Sequence, residues 1–508
     1  MNRLKFLQLI VALMALSCSD ELHRSVVVVY ENDVHCSMDG YAKFAGIRDA
    51  IADTADVITV SSGDFLQGGA MGSVSRGGYV VSMMNAVGYD VVTLGNHEFD
   101  YKLPRLMELS DSLESFVVCA NLVEKNTGSP LFKPYVLKRI GSKNIAFVGA
   151  LTPQVLVAES YAFADDSLGV AYDVPSDKII KLIQTAIDDA RRAGADYVIL
   201  LSHLGLVPPV TSLEVIQKTT GIDAVLDGHS HSIVPEQFAR NANGDSVLLS
   251  QTGTKFQNVG VMDISPNGRF HSRLIPMDSV TAENRKVAAA YDSLNSICAS
   301  QLQKQISSTE FDLTIAGDDG KRLVRSGETN LGDLVADAMR YAVGAQIGLV
   351  NGGSVRKTIP AGAITYRDVL DVMPFANDMC LIRATGRQIM DALAMGAAHL
   401  PEEFGGFMQV SGLRYTVVVD SVARIEHVQV ETDSVFVDIA EDDVFTVGLS
   451  SYNAYEGKEI TAFRQSEMIA DKMMKDSEAL VMFLKNLGGG IPDIYRVPKG
   501  RILVKTNP

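Results

Sequence analysis

Five short segments of the chain place Asp, Asn or His directly after an apolar run. They are residues 32–35 (Asn-Asp-Val-His), 62–64 (Ser-Gly-Asp), 95–98 (Gly-Asn-His-Glu), 202–203 (Ser-His) and 228–231 (Gly-His-Ser-His). A single Asp or His after a strand is usually a turn or packing residue, but turn formation does not explain why imidazole recurs. Carboxylate, amide and imidazole groups together predict a site for zinc, manganese or iron.

The spacing within these segments predicts two divalent ions. Asp33 and His35 stand two positions apart, so at an extended strand end their side chains share a face and can bind the same ion, to which His231 is also assigned. Asp64 is the predicted bridge, because the ions of a dinuclear site lie about 3.5–4 Å apart. The second ion is assigned to Asn96, His203 and His229. Such a pair supplies a nucleophilic water and neutralises phosphoryl oxygens, which predicts hydrolysis of a phosphate ester.

The elements around these segments predict the fold class. From residue 25 to about 285, short β-branched runs alternate with helical patterns, which is typical of a layered α/β domain. Ligands of such domains gather at the ends of the strands, so residues far apart in sequence are expected to converge there. Residues 282–307 are polar, rich in helix formers and free of Gly and Pro, so a linker helix is expected within residues 282–310. A second α/β domain is expected over residues 311–505.

Length and composition limit the class of protein. With 508 residues and 47% hydrophobic content, the chain is too long for one ordinary core and predicts at least two domains. The 45 Lys and Arg against 61 Asp and Glu leave a net charge of -16. This charge repels a phosphate backbone, so no nucleic-acid partner is expected. A small anionic substrate stays compatible with it, because bound cations reverse the field inside a cleft.

The first residues predict export. Arg3 and Lys5 precede an apolar stretch that runs from Phe6 to Leu16, shortly before Cys18. This pattern indicates a signal peptide over residues 1–18. The Ala-Leu-Ser-Cys ending resembles a bacterial lipobox, in which Cys18 becomes the lipid-bearing first residue; plain cleavage nearby is the alternative. No later apolar run is long enough to cross a bilayer. We therefore expect a protein of the cell envelope, anchored to the membrane at Cys18 and facing the periplasm or the exterior.

The remaining cysteines do not have the spacing of a zinc site. We expect isolated buried thiols, with some disulfide pairing as the alternative. They are Cys36, Cys119, Cys298 and Cys380.

In order and context, the five segments resemble the five motifs of the calcineurin-like metallophosphoesterases. Residues 32–35, 95–100 and 227–231 look like the 5'-nucleotidase family, whose members pair this domain with a C-terminal substrate-binding domain. The resemblance continues in residues 329–334, 351–356 and 373–377. It implies a four-layer α/β metallophosphoesterase domain over residues 25–281 and a second α/β, substrate-binding domain over residues 311–505.

The resemblance also implies roles for further residues. In the family, the equivalent of His97 contacts the scissile phosphate and the equivalent of Asp100 orients it, so these two are the predicted catalytic residues. A carboxylate beside a histidine keeps the imidazole protonated and aligned, which suits stabilisation of phosphoryl charge. Arg356 is expected to reach the substrate through its planar guanidinium group. The full set of implied substrate-binding residues is Asn351, Gly353, Arg356, Phe407 and Tyr452.

The base-binding segments depart from the family pattern. Tyr452 can stack on a nucleobase, but Glu456 and Lys458 replace the usual Gly and Asp that follow it. In the family, two aromatic residues sandwich the base, and Phe407 lies near the position of the first of them. Val410 is the alternative occupant of that position.

We therefore expect a two-metal 5'-nucleotidase that hydrolyses nucleotide phosphate esters outside the cytoplasm by in-line attack of an activated water. Family members need rotation between their domains, which makes residues 282–307 the expected hinge. The alternatives within the same chemistry are a 2',3'-cyclic nucleotide phosphodiesterase and a UDP-sugar hydrolase. A non-catalytic surface lipoprotein that binds nucleosides is the alternative of another class.

Overall fold

The computed structural model describes residues 25–159, 162–163, 171–265, 267–317, 320–420, 422–433 and 435–506. The predicted signal peptide and Cys18 lie outside these residues. Within them, no helix combines the length and the apolar character that a membrane crossing requires.

The first domain is built on two large sheets. Its strands are β1 (Val26–Glu31), β2 (Asp56–Ser61), β3 (Val91–Thr93), β4 (Phe116–Val118), β5 (Val123–Glu124), β6 (Tyr135–Ile140), β7 (Lys143–Leu151), β8 (Tyr172–Asp173), β9 (Tyr197–His203), β10 (Ala224–Leu226), β11 (Ile233–Arg240), β12 (Ser246–Thr252), β13 (Asn258–Ile264) and β14 (Phe270–Pro276). One six-stranded sheet has the order β14-β13-β1-β2-β3-β4 and the other the order β11-β12-β10-β9-β7-β6. Within the first sheet, β1, β2, β3 and β4 pair with one another in parallel.

Helices cover the outer faces of both sheets. They are α1 (Gly40–Ala52), α2 (Gly69–Ser75), α3 (Gly78–Val87), α4 (Lys102–Ser112), α5 (Val155–Ala158), α6 (Ile179–Arg192) and α7 (Ser212–Lys218). Between the sheets, Val28 and Ile58 of one pack with Phe147 and Ile199 of the other. Because β1 is buried along its whole length, it is a continuous apolar run instead of an alternating one. The layers are therefore helix, sheet, sheet and helix, as predicted.

A single long helix, α8 (Arg285–Leu302), follows the first domain. It begins where the side chain of Asn284 accepts hydrogen bonds from the amides of Lys286 and Val287, which satisfies amides that lack a partner within the helix. Val287 joins the apolar core of the first domain. The helix expected within residues 282–310 thus packs against the first domain along its own length.

The second domain has smaller sheets. Its strands are β15 (Gln305–Thr309), β16 (Ile347–Asn351), β17 (Gly362–Thr365), β18 (Met379–Thr385), β19 (Met408–Ser411), β20 (Leu413–Val419), β21 (Ala423–Thr432), β22 (Val435–Asp438), β23 (Val444–Ser450), β24 (Glu467–Ala470) and β25 (Ile502–Thr506). A five-stranded sheet has the order β19-β16-β23-β18-β24, and a four-stranded sheet the order β22-β21-β20-β25. The strands β15 and β17 form a separate pair.

Among the described residues of this domain, four α-helices accompany the strands and make it α/β as well. They are α9 (Asn330–Val343), α10 (Tyr366–Val372), α11 (Gly386–Ala397) and α12 (Asp476–Asn486). Leu334 of α9 and Leu480 of α12 share one apolar core, and Leu393 of α11 packs with Leu349 in another. The expectation of isolated buried thiols is confirmed, since Cys36, Cys119, Cys298 and Cys380 are all free and buried.

Candidate metal centre

The candidate metal ligands converge at the ends of strands from both sheets. Asp33 and His35 follow β1, Asp64 follows β2, and Asn96 follows β3. These three strands are neighbours in one sheet, so their following loops lie side by side. The second sheet supplies the last residue of β9 and the loop after β10, which carry His203, His229 and His231.

Backbone hydrogen bonds hold the loops after β1 and β2 together. The amide of Asp33 donates to the carbonyl of Gly63 at 2.9 Å, and the amide of His35 donates to the carbonyl of Asp64 at 3.0 Å. The ligands Asp33, His35, Asp64, His229 and His231 all have φ between 44° and 72°. Residues other than glycine rarely adopt this left-handed backbone conformation. It costs energy that the surrounding hydrogen bonds must offset. The loop backbone is thus fixed in the conformation that turns these side chains inward.

A buried carboxylate, Glu98, anchors the same loops from behind. It accepts hydrogen bonds from the amides of Asp64, Phe65, Leu66 and Gly95 at 2.5–3.1 Å. Burial raises the pKa of Glu98 to about 7, while the donated amide protons oppose the shift. The sequence placed Glu98 inside a motif, but its role became visible only in the structure.

Glycine is required where the loops meet most closely. A Cβ atom on Gly95 would lie 2.1 Å from Oδ1 of Asp64, which is inside van der Waals contact. Gly63 has a φ of 90° and lies against the backbone of Gly95. Both positions therefore allow the loops after β2 and β3 to touch.

The residues assigned to the first ion form one compact group. Ligand atoms of Asp33, His35, Asp64 and His231 lie within 4.8 Å of one another. The Nε2 atoms of His35 and His231 are 3.1 Å apart, and Nε2 of His231 is 3.3 Å from Oδ1 of Asp33. Two imidazole nitrogens and a carboxylate thus face a common point.

The residues assigned to the second ion form another group that shares Asp64. Ligand atoms of Asp64, His203 and His229 lie within 4.8 Å of one another. His203 Nδ1 donates to the carbonyl of Ser62 at 2.7 Å, which turns Nε2 toward Asp64 Oδ2 at 3.1 Å. Asn96 is 4% exposed and follows Gly95, the residue that lies against Asp64.

One buried atom of this second group tests whether a cation fits. Among the described residues, Asn96 Oδ1 is buried and has no hydrogen-bond partner. An unpartnered buried oxygen is costly, and a divalent ion would satisfy its lone pair, while His203 Nε2 would exchange its contact with Asp64 for the same ion. Orientation of a ligand histidine through a hydrogen bond from its other nitrogen is also typical of metal sites. The donor set of carboxylates, imidazoles and an amide therefore fits zinc, manganese or iron.

Electrostatics differ between the two histidines of this group. Burial and the nearby His203 lower the pKa of His229 to about 4, so its imidazole is neutral at physiological pH. Burial also disfavours a charge on His203, but Asp64 and Asp33 overcome that effect and raise its pKa to about 10. A cation at this point must therefore displace a proton from His203.

His97 and Asp100 lie beside the first group and contact each other. His97 Nδ1 is 3.0 Å from Asp100 Oδ1, and the ring centroid of His97 is 5.2 Å from that of His35. Burial opposes protonation of His97, but Asp100 and Asp64 outweigh it and raise the pKa of His97 to about 10. Glu159, which the sequence did not single out, lies 4.0 Å from the same Nδ1 atom. Its position in the chain carries no motif that could have identified it.

The structure gives the candidate residues of the second domain unequal access to a ligand. Asn351 is 5% exposed, and its side chain bonds to Gly405, Ser354 and Asn453. It holds loops together, and Gly353 takes part by donating its amide to the carbonyl of Gly405 at 2.8 Å.

Arg356 and Tyr452 are the candidates with accessible side chains. The guanidinium group of Arg356 lies 5.6 Å from the ring centroid of Phe375, which is 57% exposed. Tyr452 is partly exposed, and its hydroxyl donates to Glu459. The assignment of Phe407 needs correction, because its side chain is 0% exposed and packs in the core around β16 and α11. The alternative at this position, Val410, is equally buried.

Known protein families match both halves of this arrangement. Residues 27–232 match the calcineurin-like phosphoesterase family, and residues 309–465 match the 5'-nucleotidase C-terminal domain. The chain pairs a calcineurin-like phosphoesterase domain with a 5'-nucleotidase C-terminal domain. This pairing confirms the predicted enzyme class, a metallophosphoesterase of the 5'-nucleotidase type, and the predicted combination of two α/β domains.

Individual relatives align over most of the chain. The trifunctional nucleotide phosphoesterase protein YfkN of Bacillus subtilis is 27% identical over 92% of this chain, which spans about a third of YfkN (34%). A 5'-nucleotidase of Vibrio vulnificus is 25% identical over 89% of this chain and 86% of its own length. The solved structure of Haemophilus influenzae NAD nucleotidase (NadN) has the same fold, with a TM-score of 0.70 at 19% identity, covering 95% of this chain and 99% of NadN.

Proposed function

We propose that the chain is an exported, metal-dependent 5'-nucleotidase that hydrolyses phosphate esters of nucleotides. The observation that carries this proposal is that Asp64 belongs to both groups of candidate ligands. A shared carboxylate is what two ions of one catalytic centre require. Support for a nucleotide substrate comes from relatives such as YfkN, whose name states that it is a nucleotide phosphoesterase.

Each ligand has a place in this proposal. Asp33, His35 and His231 would hold the first ion, Asn96, His203 and His229 would hold the second, and Asp64 would be a ligand of both. When bound, zinc, manganese or iron ions supply an activated water and neutralise phosphoryl oxygens. The chain holds these side chains in place before an ion arrives, because Glu98 and the loop hydrogen bonds fix the backbone.

His97 acts on the substrate, and Asp100 acts on His97. Asp100 binds Nδ1 of the imidazole, so Nε2 is the nitrogen that can donate to an oxygen of the scissile phosphate. A protonated imidazole at this point stabilises negative charge as it develops on the phosphoryl group. Asp100 both orients the ring and favours its protonated form. The 3.0 Å contact between the two side chains supports both roles.

The second domain binds the nucleoside end in this proposal. Tyr452 offers a partly exposed ring for stacking on a base, and Arg356 offers a guanidinium group beside the exposed ring of Phe375. Residues 282–310 connect this domain, proposed to begin at residue 311, to the first domain that ends near residue 281. We further propose export by the signal peptide at residues 1–18 and a lipid anchor at Cys18. Loss of the membrane-bound fraction in Cys18→Ser would test the anchor.

Hydrolysis of AMP, UDP-glucose and 2',3'-cyclic AMP tests the activity, measured as phosphate from AMP, UMP from UDP-glucose and a nucleoside monophosphate from the cyclic nucleotide, each with and without added manganese or zinc. We expect metal-dependent release from AMP, reduced about 10²–10³-fold in His97→Ala. His271→Ala is the matched control, since that imidazole is 65% exposed, lies on β14 and contacts Glu236 and none of the candidate ligands.

Three outcomes would overturn parts of the proposal. Equal rates for wild type and His97→Ala would remove His97 from the mechanism. Turnover of cyclic AMP or UDP-glucose with AMP inert would replace the 5'-nucleotidase activity with one of the two related activities. Nucleoside binding without any phosphate release would favour the non-catalytic lipoprotein.

A further inference from the structure

The second domain reaches the pair formed by His97 and Asp100 through the segment between β24 and α12. Lys472 Nζ lies 3.0 Å from Oε1 of Glu159, and Lys475 Nζ lies 4.0 Å from Oδ2 of Asp100. Glu159 and Asp100 belong to the first domain, so both contacts cross between domains. The Lys472 and Glu159 side chains are 18% and 2% exposed, so the surrounding protein shields this ion pair from water.

Glu159 places a second carboxylate at the ring edge that Asp100 already occupies. Its Oε1 atom is 4.0 Å from Nδ1 of His97, and Oδ1 of Asp100 is 3.0 Å from the same nitrogen. Burial and the charge of Asp100 raise the pKa of Glu159 well above its ordinary value, and Lys472 opposes that shift without cancelling it. A lysine from the second domain therefore holds this carboxyl group beside the imidazole through a 3.0 Å contact.

This cluster does not have the features of a ligand site. Ligand atoms of His97, Asp100 and Glu159 lie close enough to hold a third metal ion, but two lysine ammonium groups already lie against the carboxylates and would repel a cation. On the Nδ1 side of His97, away from the proposed substrate, a second phosphate is equally unsuited, since Lys475 also bonds to Asp378 and carboxylates outnumber the lysines. The polar groups satisfy one another across the domain boundary.

We propose that Glu159 and Lys472 are positioning residues for His97. Lys472 fixes the Glu159 carboxylate, and this carboxylate together with Asp100 sets the orientation of the imidazole. The catalytic histidine of the first domain is thus fully ordered only when the second domain brings Lys472 to Glu159. The kinetic consequence of this inference rests on the proposed hydrolase function. The contacts of Glu159 with Lys472 and His97 do not depend on it.

Kinetics of Glu159→Gln, Lys472→Met and the double variant test the kinetic consequence on AMP. Each single variant is expected to lower kcat about tenfold with KM changed less than about twofold, because a misplaced catalytic group slows chemistry more than binding. The double variant should lose no more than either single one, and Lys472→Arg should recover most of the rate. The matched control is Lys499→Met, which removes a pair of similar burial (20% exposed, 2.9 Å to Asp337) inside the second domain. Equal kcat values for Lys472→Met and Lys499→Met, or losses that multiply in the double variant, would overturn the proposal.

A spectroscopic experiment separates this inference from the activity. In protein labelled with ¹³C-histidine, each histidine gives an imidazole signal. The signal that disappears in His97→Gln is thereby assigned to His97. We expect this signal to shift in Glu159→Gln and Lys472→Met and to stay in place in Lys499→Met. If wild type releases no phosphate from any ester, the proposed function fails while the spectra still decide the geometry. An unmoved His97 signal in both Glu159→Gln and Lys472→Met would show that the pair does not position the ring.

Discussion

The metal centre of the first domain and the candidate substrate residues of the second are built in opposite ways. In the metal centre, Asp33 and Asp64 are 0% and 1% exposed and sit on left-handed backbone. Arg356 and Tyr452 have accessible side chains and do not adopt that conformation. Left-handed residues cost about 1–3 kcal/mol each, and they persist only where the surroundings enforce them. The chain thus accepts strain at the candidate ion ligands and avoids it at the residues proposed to bind the organic part of a substrate.

The difference shows which function demands fixed geometry. Charged ligands that face one another without water repel unless a cation joins them, so their backbone must be held by hydrogen bonds such as those to Glu98. Stacking on a base tolerates small displacements, because every base presents a flat face. Each of the following predictions would break or sharpen this contrast.

Loss of the bridging carboxylate should have the largest effect. Asp64→Asn is expected to lower kcat/KM for AMP by about 10³-fold or more, because neither ion keeps its shared ligand. Bound manganese, measured by mass spectrometry after gel filtration, should fall below that of wild type. Asp223→Asn is the control, since that carboxylate lies at the other end of β10 and pairs with Arg191. Retention of both ions in Asp64→Asn would contradict the bridging role.

Truncation of Phe407 should affect folding and leave binding unchanged. Phe407→Ala is expected to destabilise the second domain by about 3–5 kcal/mol, the usual cost of removing a fully buried aromatic ring. Chemical denaturation followed by circular dichroism measures this loss, and KM for AMP should stay constant under conditions where the variant is folded. A raised KM with unchanged stability would instead restore Phe407 to the substrate site.

The sequence was sufficient for residues whose role depends on local position, and insufficient for those whose role depends on packing. Asp33, His35 and Asp64 follow strands directly, so their meeting place was predictable from the rule for parallel strand ends. Phe407 looked available because its sequence position matched an aromatic one, but only the packing around β16 shows that its ring points inward. Glu159 and Lys472 had no motif, and their contact depends on how two domains meet. The α/β fold class was likewise predictable from the alternating runs, whereas the four layers came from the family resemblance.

Removal of the Tyr452 ring should affect substrate recognition and leave the chemistry intact. Tyr452→Ala is expected to raise KM for AMP about 5- to 100-fold with a smaller change in kcat, since stacking on a base contributes about 1–3 kcal/mol. Tyr452→Phe keeps the ring and loses only the hydrogen bond to Glu459, so its KM should stay near that of wild type. Ribose 5-phosphate, which has no base, provides the control substrate. An equal rise in KM for this substrate would rule out stacking as the cause.

The smallest effect, about tenfold per pH unit, concerns metal affinity. The pKa of His203 is raised to about 10 in the metal-free protein, so at pH 7 its imidazole carries the proton that an ion must displace. Because a rise in pH removes this competing proton, apparent affinity for manganese should increase by about one logarithmic unit per pH unit between pH 7 and 9. His229, with a pKa lowered to about 4, is already neutral in this range and adds no slope. Calorimetry at pH 7.5 in two buffers of different ionisation enthalpy counts the protons released. We expect about one from His203, and a count near zero would mean that the two carboxylates do not hold this imidazole protonated before the metal binds.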